Sequence, residues 1–400
     1  FVSILVTTPE IVVHSFGGWG VVSFSSKEPD NKGMNIACWI LSLLSLQYGH
    51  YTLEGWGMQK SEQATIKDVA KLAGVSIATV SRVLNNLGVV NAATEEKVLS
   101  AVKDLHYQRN AVARSLKMRK TKSIGIIVPE ISNTFFTEIV EQLERLLGPL
   151  GYALLLCSSE NSVEEEKRKL TFLLERNVDA LVVVPASNVG THFTLPFLKA
   201  TPMVMLDREI AGLVCDVVLV DNRKGSYDVT RALIQEGHTR IGFLGGEPTV
   251  HTSVERLRGF LDAMREYNLP VEEEFVMQGG MSQRAGYSLM KQALEKKDCP
   301  NAFFVVNDMV HIGSTSCLAA EGSEKDCSRM VFATFDHLFY APLLKFCHYA
   351  AAQPIDRIGQ SVAALLLRRM KGETDDFPSK VVLLPSIHVM KENGGIVFVS

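Results

Sequence analysis

From Ser123 onward the chain repeats one pattern: a short apolar run, then a segment with one apolar helical face, then another apolar run. Residues 124–128, 153–157, 180–184 and 203–206 form a first series of runs, with helical segments at 135–150 and 163–176 between them. A second series has runs near 217–220, 241–244, 303–306 and 331–334, with helices including 229–235, 254–267 and 360–371. Runs that are apolar on both faces need cover on both faces, and their alternation with helices means parallel sheets wrapped by helices. The pattern predicts a doubly wound α/β body of two successive lobes over residues 123–400. No Gly-x-Gly-x-x-Gly or P-loop follows the first strand, which argues against a dinucleotide or nucleoside-triphosphate site.

In open α/β sheets, ligands sit outside the carboxyl ends of the strands. Asp207 and Arg208 follow the run 203–206, Asn307 and Asp308 follow 303–306, and Asp336 follows 331–334. Arg256 begins a helix after the Gly245-Gly246 turn, and Phe135 and Phe136 occupy the first strand-to-helix transition. Carboxylates, an amide and guanidiniums can share the donors and acceptors of a polyhydroxylated ligand, and an aromatic ring can cover its apolar face. Taken singly, Asp207 or Asp308 is as well explained as a helix cap, and Arg256 as the partner of a surface acid. Their recurrence after successive strands points to one site.

The formal charge of −3 is unevenly divided. Residues 58–122 hold 12 Lys/Arg against 5 Asp/Glu, a balance of +7, whereas residues 123–400 hold 27 against 35, a balance of −8. A compact basic block ahead of an acidic body suits a polyanion-binding module. Within it Thr65 and Asp68 form a capping-box-like start, with the Thr65 hydroxyl expected to serve the helix amides. Ile66, Val69, Ala70 and Ala73 then share one helical face. Gly74 supplies a sharp turn and Ser76 caps a second helix over residues 76–84. Val80, Val83 and Leu84 face inward, leaving Ile77, Ala78, Ser81 and Arg82 outside. Thr94 is expected to start a third helix, with Val98, Ala101, Val102 and Leu105 as its apolar stripe. This is the helix-turn-helix pattern, and the small outer face plus one arginine suits close approach to a DNA major groove.

The run TIKDVAKLAGVSIATVSRVLN at 65–85, NAVARSLK at 110–117 and TKSIGIIVPEISNTFF at 121–136 resemble the lactose-repressor family, with the headpiece closest to its purine-repressor branch. Looser similarity extends to about residue 390. The resemblance implies a headpiece over 58–108, a hinge helix and linker over 109–122, and a two-lobed body over 123–400 like a periplasmic sugar-binding protein. It implies that Ile77 and Ala78 set operator choice and that Thr65, Ser76, Thr79, Arg82 and Asn85 are further groove or phosphate contacts. Asn110, Ala113, Leu116 and Lys117 would form the DNA-facing hinge, with Leu116 as an apolar wedge in a minor-groove step. Arg114, Arg119, Lys120 and Lys122 would hold flanking phosphates. In the body, Phe135, Phe136, Asp207, Arg256, Asn307, Asp336 and Gln353 match effector-contact positions, and Arg208 and Asp308 are added as their neighbours. Departures at Val250, Met281 and residues 345–352 turn the expectation from a purine toward a sugar or sugar phosphate. The expected function is a transcriptional regulator, a repressor by this reading. It would bind a pseudo-palindromic double-stranded operator as a homodimer, with a tetramer left open, under control of the effector.

The rival readings are a sugar-processing enzyme with a DNA-binding appendage and a sugar receptor without DNA binding. No nucleophile–base–acid set, His-Glu-x-x-His or Gly-x-Ser-x-Gly motif supports the enzyme, so no catalytic residue, cofactor or metal is expected. Seven scattered cysteines without a Cys-x-x-Cys pair fit reduced thiols in a cytoplasmic protein. Residues 36–46 are apolar but shorter than the roughly 20 residues a membrane span needs, so no membrane partner is expected. Residues 1–57 show no amphipathic period and are read as an unassigned extension, a start-site artefact preceding Met58.

Overall fold

The computed structural model describes residues 11–16, 19–24, 64–84, 88, 90–107, 120–188, 190–194, 201–323, 329–336, 340, 347–390 and 396–399. It divides into two compact units, Phe1–Arg109 and Asn110–Ser400. In the first unit, strands β1 (Ile11–Phe16) and β2 (Trp19–Phe24) pair antiparallel, an element the absence of amphipathic period did not suggest. The helices are α1 (Ile66–Ala73), α2 (Ile77–Leu84) and α3 (Ala92–Asp104). Val69, Val80 and Val98, one from each helix, are fully buried and centre a small core that also holds Ala70, Val83, Leu84 and Ala101. Gly74 closes α1 at φ +65°, a left-handed conformation that an L side chain resists. The third helix starts earlier than Thr94, because the Asn91 side chain accepts the Ala93 N–H at 2.9 Å and caps it there.

The second unit contains two sheets. Lobe one has β3 (Ser123–Val128), β4 (Ala153–Ser158), β5 (Ala180–Val183), β6 (Met203–Leu206), β7 (Asp216–Val220) and β13 (Lys380–Leu383) in the order β13-β7-β6-β5-β3-β4, all parallel. Its helices include α4 (Thr134–Leu147), α5 (Val163–Glu175) and α10 (Ile355–Met370). Lobe two is built on β8 (Ile241–Leu244), β9 (Val276–Met277), β10 (Ala302–Val305), β11 (Val331–Phe335), β12 (Cys347–Ala352), β14 (Ser386–Met390) and β15 (Ile396–Val399). Their order is β15-β14-β12-β11-β10-β8-β9, with β14 and β15 antiparallel additions. Its helices are α6 (Asn222–Gln235), α7 (His251–Glu266), α8 (Gln283–Leu294) and α9 (Asp308–Glu321).

Two assignments to the second series are corrected. The run 217–220 is a strand of lobe one, and the helix at 360–371 packs on α4, β5, β6 and β7 of the same lobe. A buried ion pair ties them: Arg369 on α10 donates from Nε to Asp216 Oδ2 at 2.7 Å and from Nη2 to Asp216 Oδ1 at 3.0 Å, at the start of β7. Local periodicity cannot record such a pairing, so the lobes are not successive. Among the described residues the chain crosses between them three times, near Asp221, Gln353–Pro354 and Leu384–Pro385.

Glycine sets how closely α8 and α9 meet. A Cβ on Gly286 would stand 2.2 Å from the Val310 carbonyl oxygen, and one on Gly313 would stand 2.0 Å from that of Gln283. Neither distance is tolerable, so the pair fixes α9 and the polar residues at its N-terminus.

Candidate functional site

The carboxyl ends of the strands in both lobes open onto one cleft of about 420 Å³ of empty space, open solvent included. It is lined by Phe135, Phe136, Asp207, Arg208, Arg256, Asn307, Asp336 and Gln353, which the sequence places up to 218 positions apart. Asp308 does not line it.

The two aspartates after strands are held in unusual backbone. Asp207 has φ +64° and Asp336 has φ +78°, each in the left-handed region, which costs a residue with a side chain free energy. Each is pinned by its neighbour strand, through Asp207 N–H to the Val218 carbonyl at 2.9 Å and Asp336 N–H to that of Ala351 at 3.1 Å. The turn aims both carboxylates at the cleft instead of capping a following helix. Burial raises the pKa of Asp207, with Arg208 and Arg256 pulling the other way.

Arg256, buried in the second turn of α7, donates from Nε to Asn222 Oδ1 at 2.8 Å and from Nη1 to the Val306 carbonyl at 2.7 Å. Its guanidinium lies over the Phe335 ring at 3.8 Å. Arg208 donates from Nη1 to the Pro185 carbonyl at 3.0 Å, and its Nε stands 3.6 Å from Asp207 Oδ2 without a hydrogen-bond partner. Burial lowers the pKa of both arginines while the surrounding carboxylates oppose it. Gln353 sits at a lobe crossing; its Nε2 donates to Asp336 Oδ1 at 2.5 Å, and its buried Oε1 has no partner. Two side chains that line the cleft, Arg208 and Gln353, thus each carry one buried polar atom without a partner.

Asn307 and Asp308 have other duties. Asn307 caps α9, accepting the Val310 N–H at 2.9 Å, and donates from Nδ2 to the Met281 carbonyl at 3.0 Å. Asp308 accepts a hydrogen bond from the Thr134 hydroxyl of α4 at 3.0 Å, so it bridges the lobes. Asn188 makes a second bridge to the Thr249 carbonyl at 2.8 Å. Burial and the neighbouring charge of Asp336 push the Asp308 pKa up to about 7. Phe135 and Phe136 meet edge to face at 5.1 Å under the Asn133 cap of α4. Sequence reasoning missed Glu130, Asn133 and Asn161, although each closely follows a strand (β3 or β4) and the same rule would have found them. It also missed Thr252, in the first turn of α7, which carried no local signal.

In the first unit, Ser76, Ile77, Ala78 and Arg82 share an exposed face, with Ile77 45% accessible. Thr79 is half-buried; its N–H donates to Ser76 Oγ at 3.1 Å and its hydroxyl lies 2.9 Å from the same atom. Thr65 and Asp68 form the expected capping box at the start of α1, and the Thr65 N–H and hydroxyl also donate to Asp68 Oδ2, at 2.8 and 2.7 Å. Lys122 donates to the Leu150 carbonyl at 3.2 Å and lies 4.1 Å from the Tyr152 ring centre. Asn85, Asn110, Ala113, Arg114, Leu116, Lys117 and Arg119 lie outside the described residues. Among the described residues no group of three or more His, Cys, Asp or Glu is placed to hold a metal, and no helix is long and apolar enough to cross a membrane.

Comparison with known proteins agrees with this architecture. Residues 65–110 match the bacterial regulatory proteins of the lacI family, and residues 121–387 match the periplasmic binding proteins and sugar binding domain of the LacI family. The HTH-type transcriptional repressor PurR of Yersinia pestis (strain Pestoides F) is 35% identical over 333 residues, spanning 81% of this chain and 95% of that protein. A CelR–cellobiose complex of a transcriptional regulator superposes with a TM-score of 0.60 at 27% identity, covering 83% of this chain and 100% of that one. The Lac repressor bound to ONPG shares the fold, with a TM-score of 0.71 at 23% identity over 82% of this chain and 98% of that one. The chain belongs to the LacI family: it is a DNA-binding helix-turn-helix transcriptional repressor with an effector-binding domain, and not an enzyme.

Proposed function

We propose that this repressor binds a pseudo-palindromic operator as a homodimer in the cytoplasm and that an uncharged, polyhydroxylated sugar occupying the cleft controls its affinity. The DNA side rests on the exposed face of Ser76, Ile77, Ala78 and Arg82, with the hinge residues Asn110, Ala113, Leu116 and Lys117 assigned by resemblance alone. The observation that carries the effector class is the charge balance. Glu130, Asp207 and Asp336 line the cleft and Asp308 adjoins it, against only Arg208 and Arg256, each of which already spends part of its donor fork on the protein. A phosphate would add two negative charges to a site already short of positive ones, so a neutral sugar is favoured over a sugar phosphate. A purine base is the second reading, favoured by the likeness to PurR proteins; Met281, where an aromatic ring would stack, speaks against it.

The effector changes operator affinity only through its unequal affinity for the two states of the body. The test is a binding-site selection with purified protein, repeated with neutral sugars, sugar phosphates and purine bases. A neutral sugar should change affinity for the selected duplex by about 5- to 150-fold. A response confined to sugar phosphates or to purines overturns the proposed effector class.

A further inference from the structure

The hydrogen bonds at the base of lobe one concentrate on a residue that does not line the cleft. Asp179 immediately precedes β5, and its Oδ1 accepts the Thr121 N–H at 2.8 Å and lies 3.1 Å from the Thr121 hydroxyl. Its Oδ2 accepts the Lys122 N–H at 3.0 Å. The Thr121 hydroxyl is also 2.8 Å from the Asn177 carbonyl, and Asp179 N–H donates to the Ser123 carbonyl at 2.8 Å. These two residues enter the body just ahead of β3, whose pairing with β4 begins only at Ser123. Their amides therefore have no strand partner, and one carboxylate takes both.

The backbone there is bent as well as tied. Lys122 has φ +55°, a left-handed conformation that surrounding contacts must impose on a residue with a side chain. Its carbonyl accepts the Ala153 N–H at 2.8 Å, and its ammonium is held by the Leu150 carbonyl over the Tyr152 ring. Every polar group of Lys122, main chain and side chain, is thus engaged within lobe one. A charge-assisted cradle on two successive amides fixes the direction in which the chain enters the body.

We infer that Asp179 is a positioning residue for operator binding, a clamp that fixes the direction of the linker so that two headpieces reach both half-sites together. This rests on the dimeric operator-binding reading given above. Binding of a second headpiece is an intramolecular step whose strength depends on how narrowly the connecting chain is directed. Loosening the clamp lowers the effective concentration of the second headpiece at its half-site. It leaves the contacts of each headpiece with DNA unchanged.

Asp179→Asn tests this, because its amide presents a donor where one backbone N–H now finds an acceptor. The full-length protein is titrated with the selected two-half-site duplex and with a duplex carrying one half-site. Amide exchange at Thr121 and Lys122 reports whether the clamp has opened. The expected result is faster exchange, at least a tenfold or so weaker hold on the full operator, and unchanged affinity for the single half-site. A preference for the full operator that survives faster exchange, or an equal loss on both duplexes, overturns the clamp. Thr121→Ala removes one donor with less risk to folding and should shift the ratio the same way by a smaller factor; an unchanged ratio with faster exchange again overturns it. A wild-type protein without preference for two half-sites overturns the dimeric operator reading itself, so the two failures are distinguishable.

Discussion

Arg256 should prove to be the counterweight of the cleft's carboxylates, and Arg256→Met tests this because it keeps much of the buried stem while deleting the charge. The substitution breaks the bonds to Asn222 and Val306 and the contact with Phe335. Two charge-assisted hydrogen bonds at about 1.5–3 kcal/mol each set the scale, and removal of one partner from a buried charge group typically costs about 3–5 kcal/mol. We expect a loss within that second range at pH 8, lowering Tm by about 10 °C at the 2–4 °C per kcal/mol usual for large domains. The pH dependence carries the mechanism. Burial raises Asp207 and Asp308 above the carboxylate range, so their ionisation weakens the folded state as pH rises, and Arg256 offsets part of that cost. The deficit of the variant should therefore be largest at pH 8 and shrink as pH falls through about 7, where Asp308 takes up its proton. Scanning calorimetry at pH 5, 6, 7 and 8 measures it. A deficit below about 1 kcal/mol, or one that does not vary with pH, would refute the reasoning.

Arg82→Ala should weaken binding to the selected duplex by about 1–3 kcal/mol if the exposed guanidinium reads a base edge; equal anisotropy titrations for variant and wild type would remove it from the readout. Thr134→Val deletes the donor that joins α4 to Asp308 across the cleft. At pH 8, where Asp308 is ionised, loss of a hydrogen bond to a charged group, about 1.5–3 kcal/mol, should weaken the form in which this bridge joins the lobes and raise the effector Kd by roughly tenfold or more. Unchanged Kd in titration calorimetry would show that this bridge does not favour closure.

Much of the body was legible because a strand buried on both faces leaves a nearly continuous apolar run, as at Ile126–Val128 and Ala180–Val183. The strand-end rule then located Asp207, Arg208 and Asp336, since the chemistry needed at a cleft interrupts those runs abruptly. Sheet order was not legible. Nothing in the run at Val217 marks it as a neighbour of Lys380, because the partner strand lies 163 residues further along the chain. Strand β12 was missed because its apolar residues are mostly alanines, which are depleted in strands, and with it the reason that Gln353 stands at a lobe crossing. Asn307 and Asp308 were found by position, yet their partners, a helix end and the opposite lobe, are tertiary facts.

The central claim is that occupancy of the cleft controls the hold on DNA, and Asp336 is the place to test it because it lines the cleft from a left-handed turn held by Ala351. The most direct test measures affinity for the selected operator against concentration of the sugar that scored in selection, for wild type and for Asp336→Asn. The account expects a saturable change of about fivefold or more in wild type, with the variant binding operator equally well but needing far more sugar to respond. An operator affinity that stays constant in wild type as the sugar saturates its site would contradict it.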